Sequence, residues 1–221
     1  MAWSYSSIKT FEQCPRKYHH TRVLKDVVDV AGDAATFGVE AHLAAEEYIR
    51  DGSPMPDKFK FMEEAVAAFS AFDGEKHAEL KMGIRKNEQG FQACSFDDPD
   101  AWWRGIADLV VDQGEQAFVN DWKTGKSARY ADVKQLDLLA GATFLHFPNV
   151  VKVKSSLAFV ATGDLIRKIH HIEHLDTYLG VFDNALDQLQ IAHDTGVWNA
   201  KPSGLCGWCP VDKCEHHRLR S

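Results

Sequence analysis

The stretch Gly105-Ile106-Ala107-Asp108-Leu109-Val110-Val111, followed thirteen residues after Asp108 by Asp121-Trp122-Lys123, decides how the rest of the chain is read. If the two segments pair as neighbouring strands, two carboxylates and an amine meet at one point. Side chains alternate faces along a strand, so Asp121 and Lys123 project to one side and Trp122 into the opposite packing layer. Hard divalent cations take carboxylate oxygens, polarise a phosphoryl oxygen and make water nucleophilic at neutral pH. A fixed ammonium such as Lys123 can hold the attacking water or neutralise charge developing on the phosphorane. An isolated Asp-x-Lys equally describes the solvated end of a strand, so the neighbouring residues decide between the readings.

Upstream, Thr36-Phe37-Gly38-Val39-Glu40-Ala41-His42-Leu43-Ala44-Ala45-Glu46-Glu47-Tyr48-Ile49 is rich in helix formers and carries a broad apolar face. His42 and Glu46 stand one turn apart on it, so both can look into one cleft. Downstream, Gln135 falls on a further helical segment. The order Gly-x-x-x-His, Gly-x-x-Asp, Asp-x-Lys and then Gln resembles the PD-(D/E)XK nuclease superfamily, and within it the RecB-type domains and CRISPR adaptation nucleases. The opening Ser4-Tyr5-Ser6-Ser7-Ile8-Lys9-Thr10-Phe11-Glu12-Gln13-Cys14-Pro15-Arg16-Lys17-Tyr18 is similar to the same family's first segment, so the likeness runs over nearly the whole chain. The resemblance implies that His42, Asp108 and Asp121 bind Mg2+ or Mn2+, that Lys123 is catalytic together with Asp108 and Asp121, and that Gln135 assists. Imidazole is softer than the ligands magnesium prefers, so manganese is expected to serve at least as well. Leu139 stands where the family commonly has a tyrosine four residues after the glutamine.

Three of the five cysteines read Cys206-x-x-Cys209-x-x-x-x-Cys214, with Cys14 and Cys94 elsewhere. An odd count, with no secretory leader before the opening motif, points away from a secreted disulfide framework and toward a reducing cytoplasmic setting. The resemblance supplies Cys14 as fourth ligand of a [4Fe-4S] cluster. Zn2+ on the same four thiols, or with His216 or His217 replacing one, is one alternative, and unligated buried thiols are another. Such a site would staple residues 1–25 to 200–221 and close a long loop. Cys94 reads as an ordinary thiol on a strand.

At 221 residues and 45% hydrophobic content the chain can bury a full core, and no apolar run is long enough to cross a bilayer. One domain is expected over 1–221. Helices are predicted near 6–13, 36–50, 58–80, 131–145 and 173–195, and strands near 90–96, 102–112, 116–122, 151–161 and 164–172. The fold class is α/β: a central mixed sheet flanked by helices, with Gln135 on a crossover helix after the Asp-x-Lys strand. The row Leu175, Leu179, Phe182, Leu186, Leu189 reads as core packing.

The net charge of −7 opposes non-specific attraction to a phosphate backbone. Its distribution does not. Residues 1–25 hold five Lys/Arg against one acid and residues 122–172 hold eight against three, giving +9 there and −16 elsewhere. Arg16, Lys126, Arg129 and Lys134 are the candidate DNA contacts, with Lys152, Lys154, Arg167 and Lys168 beyond them. Trp102, Trp103, Trp122, Tyr5 and Tyr18 are candidates for stacking on unpaired bases, although strand tryptophans usually pack in cores. The function expected is a metal-dependent deoxyribonuclease, an exonuclease on DNA ends or single strands in recombination, repair or DNA processing, with a recombination or replication protein as partner and a phage or accessory gene as setting. Two alternatives stay open: a catalytically inactive nucleic-acid-binding or assembly subunit of the same fold, and an adaptor whose functional point is the cysteine site.

Overall fold

The structure, a computed structural model, describes residues 2–29, 32–125 and 127–217, with Tyr130 described by its backbone. The chain forms two compact units, Asp33–Val181 and a second made of Trp3–Gly32 with the segment from Phe182 onward.

The larger unit is built on a six-stranded sheet of order β2-β1-β3-β4-β5-β6. Its strands are β1 Glu75–Asn87, β2 Gly90–Cys94, β3 Trp103–Asp112, β4 Gln116–Lys123, β5 Lys152–Phe159 and β6 Asp164–His171. Neighbours are antiparallel except β4 and β5, which run parallel. A parallel pair needs a crossover. It is supplied by α5, Lys134–His146, which carries Gln135 as expected. The β3–β4 hairpin turns at Gly114, whose φ of +87° suits glycine, with the Asp112 carboxylate accepting the Gly114 N–H at 2.8 Å.

Two helices, α3 (Asp33–Asp51) and α4 (Glu63–Ser70), give Ala41, Ala44, Ala45 and Val66 to a core that includes Leu109, Val111, Trp122 and Ala158 of the strands. Leu136 of α5 packs instead with Leu157 and Phe159. Leu157 and Phe159 alternate with Ala158 along β5, so the two packings use opposite faces of the sheet.

Two of the expected helices are not continuous helices. The helix read over 58–80 is a 3-10 turn at Asp57–Met62, then α4, and then, from Glu75, the long strand β1. Glu75-Lys76-His77-Ala78-Glu79-Leu80-Lys81 is composed of helix formers, but antiparallel pairing of this run with β3 overrides that preference. Gly74, at φ +123°, breaks the chain direction just before it. The helix read over 173–195 is likewise interrupted: α6 (Leu175–Leu179) and α7 (Asp183–Thr195) are separated by a 3-10 turn at Gly180–Phe182, where the larger unit ends.

The second unit contains α1 (Tyr5–Gln13), α2 (Pro15–Tyr18) and α7. Ser4 and Ser7 cap α1 reciprocally, each side chain engaging the other's backbone N–H, which accounts for the serines of the opening segment. Trp198 is stacked on His19 with centroids 4.7 Å apart and meets Phe11, Tyr18 and His193. Among the described residues no helix is long and apolar enough to cross a membrane.

Candidate metal centre

The β3–β4 ladder is paired from Asp112↔Ala117 to Leu109↔Asn120. One step further the Asp108 carboxylate accepts the Trp122 N–H at 2.6 Å, so a side chain replaces the next main-chain acceptor. This holds Asp108 beside the end of β4. Upstream on β3, a Cβ on Gly105 would sit inside the Trp103 indole. The glycine of Gly-x-x-Asp is therefore required by packing of its own strand.

On β4, Trp122 is 1% exposed and meets Phe69 edge-to-face at 5.3 Å, on the apolar side as expected. Asp121 and Lys123 alternate with it, and Lys123 Nζ lies 2.6 Å from Asp121 Oδ2. Gln135 bridges the pair: its Nε2 donates to Asp121 Oδ1, and its Oε1 accepts from Lys123 Nζ at 2.9 Å. From α3, His42 Nδ1 stands 3.2 Å from Asp108 Oδ1. Glu46 is paired with Arg50.

Sequence reasoning missed Glu79. Its Oε1 lies 3.9 Å from His42 Nδ1, and one donor atom each from His42, Glu79 and Asp108 fall within 4.8 Å of one another. Glu79 has φ +50° and falls at a gap in the β1–β3 ladder, between Ala78↔Leu109 and Leu80↔Ala107. A non-glycine residue there is strained, and such strain collects at functional positions. Nothing in single-sequence spacing signals it, because it sits in the run read as helix.

Crowding of acids sets the electrostatics. Burial, then the charge of Asp108, pushes Glu79 up to about 7. Burial and Asp108 likewise raise Asp121, against the opposing pull of Lys123 and His42. For His42, burial pushes the imidazole down, but its hydrogen bond to Asp108 and the charges of Asp108, Asp121 and Glu79 outweigh it and leave His42 raised. Carboxylates that repel one another in a poorly solvated place, with one imidazole among them, make a donor set that fits a divalent cation.

The other expected residues are placed as follows. Arg129 and Lys134 are exposed, in the turn Ala128–Tyr130 and at the start of α5, while Lys126 lies outside the described residues. Lys168 is engaged with Asp137. Trp103 and Tyr18 are buried, and Trp102 packs against Phe91. In the second unit, Cys14, Cys206, Cys209 and Cys214 are free thiols that line one cavity of about 240 Å³ together with Arg16, Lys17, Lys201, His216 and His217. Backbone N–H groups of Lys201 and Ser203 point at Cys14 Sγ and Cys206 Sγ, at 3.4 and 3.3 Å. Arg16 lies 3.8 Å from Cys214 Sγ and is paired with Glu215. Cys94 is on β2, in the larger unit.

Residues 2–214 match the PD-(D/E)XK nuclease superfamily. Among solved structures, the chain is similar to SSO0001, with TM-score 0.51 and 12% identity over 98% of this chain and 87% of that one. It is also similar to a protein from Eubacterium rectale called "Putative exonuclease", with TM-score 0.53 and 13% identity over 100% of this chain and 88% of that one. At such identities the likeness is one of fold. No curated protein matches.

Proposed function

The chain belongs to the PD-(D/E)XK nuclease superfamily, and from that premise we propose that it hydrolyses phosphodiester bonds in DNA, working from ends or on single strands, with Mg2+ or Mn2+ at the acidic centre. The observation that carries this reading is the convergence of His42, Glu79 and Asp108 within 4.8 Å, with Asp121, Lys123 and Gln135 forming a linked group on the adjoining strand and helix. His42, Glu79, Asp108 and Asp121 would hold the cation, which when bound polarises the phosphoryl oxygen and acidifies a water molecule. Lys123, fixed between Asp121 and Gln135, places positive charge where negative charge grows in the transition state. Asp121 orients that ammonium as well as offering an oxygen to the cation. Gln135 holds both partners at a fixed separation.

We assign the four thiols Cys14, Cys206, Cys209 and Cys214 to an iron-sulfur cluster, and with it propose that the chain lies near the RecB-type branch. Their grouping around one cavity supports the assignment. Among the described residues, the donor set found within 4.8 Å is His42, Glu79 and Asp108, not the thiols. Anaerobic purification tests the assignment: a brown protein with broad visible absorption supports the cluster, and a colourless protein carrying zinc refutes it.

The test of the hydrolase is digestion of end-labelled single- and double-stranded DNA with magnesium, manganese or chelator, using wild type and Asp121→Ala. Cleavage by wild type with either metal, abolished by chelator and by the substitution, is the expected result. Metal-independent binding without release of nucleotides would instead identify an inactive DNA-binding subunit.

A further inference from the structure

Two residues beyond Gln135, Asp137 is a buried carboxylate, 4% exposed. Its Oδ1 accepts from His170 Nε2 at 2.8 Å and from Lys168 Nζ at 2.5 Å, both on β6. His170 is fully buried, and its Nδ1 lies 3.4 Å from Ser155 Oγ on β5. Burial pushes Asp137 up, but the hydrogen bonds and charge of His170 and Lys168 more than offset it, so the group is held below the usual aspartate value. Serine, histidine and aspartate in a row have the composition of a hydrolase triad. Ser155, however, is 2% exposed and pairs with the nitrogen opposite to the one a nucleophile's base would use, so no substrate reaches it.

A buried ionic cluster is a poor stabiliser, because desolvation consumes most of the Coulombic gain and apolar packing of equal volume does as well. What it does supply is position. The first turn of α5 touches three adjacent strands with three consecutive residues: Gln135 reaches Asp121 and Lys123 on β4, Leu136 packs on Leu157 and Phe159 of β5, and Asp137 reaches β6. The apolar contact of Leu136 lets a helix roll. A carboxylate held by two directional donors does not.

We propose that Asp137, fastened by His170 and Lys168, is a positioning residue that fixes the roll of α5 and thereby sets the Gln135 amide on Asp121 and Lys123. Its catalytic consequence rests on the nuclease reading of that site; its structural consequence does not. The two are separated by measuring both. In NMR spectra, the Gln135 side-chain amide, identified by its absence from Gln135→Ala, is expected to be shifted and slow to exchange in wild type. In Asp137→Asn it collapses to the position and exchange rate of a solvated glutamine. In DNA digestion, Asp137→Asn lowers kcat about tenfold with KM within about twofold, as a small misplacement does. In a Gln135→Ala background it costs nothing further, and His170→Gln, which keeps a donor toward Asp137, retains most activity. Should Asp137→Asn fail to fold, Lys168→Met, whose side chain is 38% exposed, tests the same point with a smaller shift. An unchanged Gln135 amide in the folded variants, or losses that add to those of Gln135→Ala, would overturn the proposal. If wild type cleaves no DNA, the nuclease reading fails and the amide signal alone decides the positioning role.

Discussion

The two units hold their polar groups in opposite ways. In the larger one, Asp108, Asp121 and Glu79 are borne on paired strands, and Gln135 and His42 on helices seated against the core of that sheet. The geometry is fixed by ladders and packing before any ion arrives. In the smaller one, the thiols lie at the junction of α1 and α2 and along a tail of short 3-10 turns, where little backbone is paired. A strand-built site keeps its geometry without an ion, whereas a loop-built site, if it binds metal, depends on that metal for order.

That contrast can be broken most sharply by removing one group from each side. Lys123→Ala should lower DNA cleavage about a hundredfold to a thousandfold with the circular dichroism spectrum unchanged, since the half-buried ammonium beside Asp121 is lost while the ladders and core that hold the fold remain. Full activity in that variant would refute the role of the lysine even with the fold intact. Cys209→Ser should do the reverse. We expect a fall in Tm of about 10 °C or more, with limited proteolysis cutting the tail after Phe182 while the sheet unit stays protected. Equal protection in both variants would mean that the thiols hold nothing.

A smaller effect sharpens the electrostatic side. Glu79 titrates near 7 in the folded, cation-free protein but near 4.5 when unfolded. Between those values the folded state keeps a proton that the unfolded chain has released, so stability falls as pH rises through that window. Thermal melts should show the apo protein less stable at pH 8 than at pH 5 through this group. Manganese should restore stability at pH 8 by neutralising the repulsion, and Glu79→Gln should flatten the dependence. A melt that improves with pH in wild type and Glu79→Gln alike would contradict the burial of charge assigned here.

Much of this was readable in the residues, and the failures have causes. Asp108, Asp121, Lys123, Gln135 and His42 were legible because periodicity places strands and helices and chain order carries the family likeness; the structure brings them together. Glu79 was invisible because the segment around it has helical composition, and only its pairing with β3 makes it a strand. Asp137 was hidden for another reason: its partners Lys168 and His170 lie on β6, across a parallel crossover whose register no local pattern reveals. The thiols were the opposite case, obvious in spacing, yet their common cavity depends on α1 and the tail meeting within one unit.

The most direct measurement is an anomalous difference map from crystals soaked in manganese. A single strong peak bonded to His42, Asp108 and either Glu79 or Asp121, with the Lys123 ammonium beside it, is the expected result. A peak elsewhere, or none at a concentration that supports cleavage, would contradict the claim that these side chains share one cation.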